Sequence, residues 1–339
     1  MIRFIHPEPR AKENRILPVF LPYSGCPQRC VYCAQDKQTG VAPQPLNQAL
    51  SKLQQELQRL SEANPRNWEI AFYGATFTAI EQIWQERFLA LANEFRTKGL
   101  LSRIRCSTRP DALTPQHLAW LAEEGLDMVE VGVQSFANSS LALSQRHYCG
   151  EAAREACCLV REAGLALGVQ LMPGLPGSSG RTFLADVETT CDLAPEAARL
   201  YPLLVLQGSE LEDWWRQGQY QALGLGKTVP LLALACLKLW RNGIRVIRMG
   251  LAPEPEMKES ILAGPWHPAL GLMVRALALY YLIKDHVAAL GTVPSKLWVP
   301  KRFQGEIMGH GAELKRKYAG LGLSPEKIGY WEEEEFQLE

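Results

Sequence analysis

The stretch Pro22-Tyr-Ser-Gly-Cys-Pro-Gln-Arg-Cys-Val-Tyr-Cys-Ala-Gln35 sets Cys26, Cys30 and Cys33 at C-x3-C-x2-C spacing. Thiolates this close in one loop can converge on one metal centre. A structural zinc site needs four ligands, and no fourth cysteine or histidine lies nearby in the sequence. A 4Fe-4S cubane held by three cysteines instead leaves one iron open to chelation by a small molecule. A zinc ribbon and three unrelated thiols are the competing readings.

Something must hold that loop in place. Residues 17–21 read as a strand ending at Pro22, so the loop follows a strand's carboxyl end. Strand-like runs at 69–73, 103–106, 128–133, 166–172 and 198–206 then alternate with helix-like runs at 45–63, 80–98, 114–124, 151–163 and 181–191. The clearest helix boundaries are Thr114 as N-cap, Pro115 in the first turn and Gly125 past the end. Six strand-then-helix beats argue for α/β architecture with a parallel sheet and crossover helices. A doubly wound sheet and a full or partial barrel both fit, and either puts chemistry at the strands' carboxyl ends. Beyond residue 206, segments 210–220 and 229–242 read as helices, 244–248 as one more strand, and the rest as a mixed tail.

The chain has 339 residues, 47% apolar and 21% charged, enough to bury a core without a metal staple. A metal site is therefore expected to be chemical rather than structural. Lys plus Arg and Asp plus Glu balance at 36 each, so bulk charge calls for neither nucleic acid nor a membrane surface. The amino terminus lacks the apolar segment of a signal peptide, and the runs 200–206 and 231–239 are too short to span a bilayer. Nine unevenly spaced cysteines do not form a disulfide pattern, so a reducing cytoplasm is the expected location.

The cysteine spacing, with Tyr32 just before the third cysteine, resembles the radical S-adenosylmethionine (SAM) superfamily over the first 205 residues. That resemblance implies a partial (β/α)6 TIM-like barrel over residues 1–250, with the cluster loop at 22–35 and a small C-terminal α/β extension at 251–339. It implies a 4Fe-4S cluster on Cys26, Cys30 and Cys33, with SAM chelating the open iron and Tyr32 against its adenine. One electron, from reduced flavodoxin or ferredoxin, would then break the sulfonium bond and yield a 5′-deoxyadenosyl radical.

Further segments resemble the radical domain of the Elongator catalytic subunit and its bacterial relatives over about 250 residues. They are Ala71-Phe-Tyr-Gly-Ala-Thr-Phe-Thr78, Ser107-Thr-Arg-Pro-Asp111, Val129-Glu-Val-Gly-Val-Gln-Ser135, Met172-Pro-Gly-Leu-Pro-Gly177, Arg199-Leu-Tyr-Pro202 and Arg248-Met-Gly-Leu251, with the pair Arg146-His147. Oxygen-independent coproporphyrinogen oxidases look similar over fewer of these. Gly74, Ala75, Ser107, Glu130, Gln134 and Gln170 are the expected cofactor-lining residues. The family pattern has two glycines where this chain has Gly74-Ala75; a left-handed backbone at Ala75 would cost about 1 kcal/mol. Glu130 in an apolar strand is expensive to bury without a partner. Arg146 suits a bidentate carboxylate contact, and His147 is a further candidate contact. The other cysteines read as mostly core or neutral, with Cys106 nearest the site.

The implied function is radical modification of RNA or a nucleoside. A coproporphyrinogen-oxidase-like tetrapyrrole or small-molecule enzyme and a non-enzymatic Fe-S or haem-binding protein are the alternatives. No Gly-rich acetyl-coenzyme A loop is visible after residue 250, so the Elongator's acetyl-transfer half is not expected here. Gly264-Pro-Trp-His-Pro268, Lys301-Arg302 and Lys315-Arg-Lys317 resemble that family's region after the barrel, which keeps RNA as a candidate partner.

Overall fold

The computed structural model describes residues 1–10, 14–63, 66–251 and 255–339. Its strands in chain order are β1 (Ile2–Ile5), β2 (Arg15–Phe20), β3 (Trp68–Tyr73), β4 (Leu101–Thr108), β5 (Met128–Gln134), β6 (Ala166–Leu171) and β7 (Ala197–Leu200). There follow β8 (Val205–Leu206), β9 (Arg245–Met249), β10 (Ile261–Ala263), β11 (Leu297–Pro300), β12 (Ile328–Trp331) and β13 (Glu335–Leu338).

Seven strands form one parallel sheet in the order β2-β3-β4-β5-β6-β7-β9. The sheet is curled, because Ile16 and Pro18 of its first strand and Ile247 of its last line the same cavity. The result is a TIM-like partial barrel. The strand period of two sorts each sequence between its faces. On β5, Glu130, Gly132 and Gln134 face the cavity, while Val129, Val131 and Val133 are buried in the core. The crossover helices include Leu46–Glu62, whose Ala49, Leu53, Leu57 and Leu60 make one buried stripe at helical spacing. Pro115–Glu123 starts where expected, with the Thr114 hydroxyl accepting from the His117 amide at 3.2 Å.

Two expectations change. The strand expected at 198–206 divides: β7 leaves the sheet near Pro202, which has no N–H to donate, and β8 pairs instead with β10. The run 244–248 is a strand as expected, β9, but it adds a seventh member to a sheet for which the resemblance implied six.

A second sheet, β1-β13-β11-β12, lies outside the barrel. It pairs residues 2–5 with residues 335–338 antiparallel, so the first strand sits with the extension rather than the barrel. The helix Leu270–Leu290 packs the extension against the barrel helix Leu225–Arg241. Among the described residues, no helix is long and apolar enough to cross a membrane.

His6 is buried at this junction, with its ring 4.9 Å from Trp240 and 4.8 Å from Phe303. Burial first, then Arg275 and Arg302, push its pKa down from 6.5 to about 3. The unfolded chain therefore binds a proton that the folded chain refuses between those values. Stability from this residue is complete above pH 6.5 and falls as pH drops towards 3, by up to about 1.4 kcal/mol per pH unit. Urea midpoints measured between pH 7 and 5 should fall more steeply for the wild type than for His6→Phe.

Candidate active site

A cavity of about 520 Å³ fills the inside of the barrel towards the carboxyl ends of the strands. Cys26, Cys30, Cys33, Tyr32, Gly74, Ala75, Ser107, Glu130, Gln134 and Gln170 all line it. Residues 144 positions apart in the chain thus share one wall system, from Cys26 to Gln170.

The cysteine loop is anchored by local backbone geometry. Tyr23 has φ 63° and donates its amide to the Gly74 carbonyl at 2.8 Å and to Gln35 Oε1 at 2.5 Å. Its hydroxyl donates to Asp36 at 2.5 Å and accepts from the Gln35 amide at 2.8 Å. Gly25 has φ +70°, and a Cβ there would lie 2.4 Å from the Thr76 carbonyl oxygen and 2.9 Å from the Ala79 carbonyl carbon. Gly25→Ala should cost ~1–2 kcal/mol in conformation and a further ~1–3 kcal/mol in overpacking. Urea unfolding and iron uptake of that variant check this; a loss below about 1 kcal/mol would contradict the close contact.

The three thiols are free and partly buried. Cys30 Sγ accepts from Arg146 Nη1 at 3.3 Å, and Cys26 Sγ shares a hydrogen with Thr76 Oγ1 at 3.2 Å. Burial, with Cys30 and Cys26 adding to it, pushes the Cys33 thiol up to about 12. Ionising Cys33 therefore calls for positive charge beside it, which bound iron would supply. Among the described residues, no three side chains of ligating type are gathered to hold a single ion. A cubane asks for something else, since its cysteines bind different irons. Three soft donors on one cavity wall, two of them already hydrogen-bonded to the protein, fit a 4Fe-4S cluster.

Arg146 is buried rather than solvated. Its Nη1 also reaches the Tyr32 hydroxyl at 3.2 Å, Nη2 donates to the Gly132 carbonyl at 2.6 Å, and Nε donates to the Tyr148 hydroxyl. His147 is exposed and does not line the cavity.

Gly74 has φ +69°, but a Cβ there would meet nothing closer than 3.6 Å. Its constraint is conformation rather than crowding by the protein. Ala75 is not among the described non-glycine residues with positive φ, so the expected strain at this alanine does not arise. Gln134, like Tyr23, is a left-handed non-glycine residue of the cavity, with φ 66° where the pairing of β5 with β6 shifts register. Gln170 Nε2 donates to Gln134 Oε1 at 3.1 Å and ties the two strand ends together. Strain at the end of a barrel strand that faces the cavity is where functional residues concentrate.

Glu130 is 2% exposed and is met by three donors. Arg199 Nη1 reaches it at 2.7 Å, Arg105 Nη1 at 3.2 Å, and the Tyr73 hydroxyl donates to it at 3.2 Å. Burial opposes the charge of Arg199, but Tyr201 and Glu130 outweigh it and hold its pKa above the ordinary value. Arg105 is absent from the expected site, and Tyr73, Arg199 and Tyr201 enter the sequence analysis only within resembling segments, not as site residues. Alternation could have found them, since Arg105 lies two residues before Ser107, and Arg199 two before Tyr201, on the same strand face.

Cys106 lies on the opposite face of β4, buried in the core and outside the cavity. Lys301 of the basic stretches is paired with Glu332 at 2.7 Å.

Comparison with known proteins agrees with this geometry. The profile described as the Radical SAM superfamily matches residues 20–189, and one described as the Radical SAM C-terminal domain matches residues 195–278. The tRNA uridine(34) acetyltransferase of Methanocaldococcus infernus is 30% identical over 187 residues, which is 49% of this chain and 35% of that protein. The protein of the same name from Dehalococcoides mccartyi is 27% identical over 241 residues, 61% of this chain and 52% of that one. The chain thus spans from about a third to about half the length of these relatives. The solved structure of archaeal Methanocaldococcus infernus Elp3 with an N-terminal deletion superposes with a TM-score of 0.60 at 23% identity, covering 81% of this chain and 64% of that one.

Proposed function

The chain belongs to the radical SAM superfamily, and from that premise we propose that it cleaves SAM at a cluster held by Cys26, Cys30 and Cys33 to modify RNA or a nucleoside. It is an enzyme of this class, whose cofactors are a 4Fe-4S cluster and SAM. The non-enzymatic alternative falls with that membership. When bound, these cofactors supply a reductive cleavage that yields a 5′-deoxyadenosyl radical able to abstract hydrogen.

The chain's own residues have definable tasks in this reading. Cys26, Cys30 and Cys33 ligate, and Arg146 and Thr76 hydrogen-bond two of the thiolates, which tunes the site's potential. Gly74, Ala75 and Tyr32 border the loop and receive the methionine and adenine ends of SAM. Ser107, Gln134 and Gln170 offer neutral hydrogen-bonding groups to its ribose. Glu130, paired with Arg105 and Arg199, offers its one remaining acceptor position there. Reduced flavodoxin or ferredoxin delivers the electron.

The observation that carries the RNA half is the alignment with proteins named for tRNA uridine 34, over 187 and 241 residues. The acetyl transfer in that name is not carried over, because only part of those relatives is matched. Mass spectrometry of tRNA nucleosides from a deletion strain tests the reading. One nucleoside should lose its modification, and an unchanged profile would sink it.

A further inference from the structure

We propose that Arg248, at the last strand of the barrel, is the anchor for a phosphate group of the substrate. This rests on the radical RNA-modifying reading and deepens it. The expected source is a nucleotide unit of RNA.

Among the described residues, the cavity is lined by Arg105, Arg109, Arg146, Arg199 and Arg248 but by one carboxylate, Glu130. Four of these cations are committed. Arg105 and Arg199 share Glu130, and Arg109 is held by both oxygens of Asp111 at 2.8 and 2.7 Å. Arg146 donates to the Gly132 carbonyl, the two tyrosine hydroxyls and the Cys30 sulfur.

Arg248 differs. Its Nε donates to the Gly250 carbonyl at 3.0 Å, and among the described residues no carboxylate pairs with it and neither Nη has a partner. It is half-buried and beside Arg199 in the pairing of β7 with β9. A guanidinium with two free Nη groups is shaped for two oxygens of one phosphate.

The position narrows the ligand. β2 and β9 are the two margins of the curled sheet, and the cavity touches both. Across from Arg248, β2 presents Ile16 and Pro18, both exposed, and the half-buried Phe20. One lip of the opening is therefore apolar and the other cationic. A molecule with a flat ring and a phosphate matches both lips, whereas an uncharged ring matches only one. The cluster loop follows β2, so the anchor lies at the other margin from the radical's source.

The test uses the anaerobically reconstituted protein and Arg248→Gln, with iron content and melting temperature as controls for folding. Four probes are titrated: a short single-stranded oligoribonucleotide, uridine 5′-monophosphate, uridine and glucose 6-phosphate. For Arg248→Gln, the oligoribonucleotide and the monophosphate should bind roughly tenfold to a hundredfold more weakly. The salt slope of oligoribonucleotide binding should shrink by about 0.7–1. Uridine should be unaffected, and Arg248→Lys should recover part of the loss. If glucose 6-phosphate binds and weakens in the variant while RNA does not bind, the phosphate anchor stands and the RNA reading falls. The anchor is overturned if phosphorylated probes bind both proteins equally, if none binds the wild type, or if SAM affinity falls instead.

Discussion

Cys30→Ala should reduce the iron content of reconstituted protein from about four per chain to nearly none. Three cysteines are the minimum for a cubane with one open iron, so removing one leaves two thiolates and no stable chelate. Cys30 is the most informative of the three, because its sulfur receives the buried Arg146 guanidinium at 3.3 Å. Its loss also leaves that buried cation facing an apolar methyl group without its acceptor. The broad visible absorbance of the cluster should vanish with the iron. No 5′-deoxyadenosine should form from SAM and dithionite. Cys149→Ala is the matched control: Cys149 is exposed and does not line the cavity, so its removal should leave the iron intact. Wild-type protein that takes up zinc and no iron would overturn the cluster assignment altogether.

Glu130→Ala should destabilise the fold by about 3–5 kcal/mol, the cost of breaking a buried ion pair from one side. The acid is 2% exposed and Arg105 is 3% exposed, so water cannot replace the lost partner well. Arg105 and Arg199 would be left as like charges beside one vacated position, with the Tyr73 hydroxyl also losing its acceptor. Glu130→Gln keeps the shape and one acceptor oxygen, so it should lose less. Equilibrium urea unfolding of both variants measures the difference. If Glu130→Ala costs under about 1 kcal/mol, the network is not the support described here. SAM affinity of the folded Glu130→Gln protein then separates the two roles of this carboxylate. A ribose contact predicts weaker binding at wild-type iron content, and a purely structural role predicts none.

Much of this site was legible before any coordinates, for local reasons. Three cysteines within eight residues must lie close whatever the fold, so their gathering on one cavity wall was readable from spacing alone. Strand and helix periods were equally local, which is why the observed elements match the expected ones to within a few residues, apart from the run 198–206. Ser107, Glu130, Gln134 and Gln170 could be placed near the site because strand ends in such sheets converge.

What the chain order could not convey is pairing between distant segments. Arg199 is 69 residues from Glu130, and Arg146 is 116 from Cys30, so no local period links either pair. Their contacts exist because the sheet curls and turns alternate side chains of separate strands into one volume. The pairing of β1 with β13 joins the two ends of the chain for the same kind of reason. The left-handed backbone of Gln134 likewise goes with a register shift between β5 and β6, a feature of pairing and not of local sequence. The sequence by itself determined the donor chemistry and the order of the elements, both set by covalent neighbours. The tertiary structure alone decided which charges meet inside the barrel and which one, Arg248, is left without a carboxylate among the described residues, since ion pairing depends on distance through space.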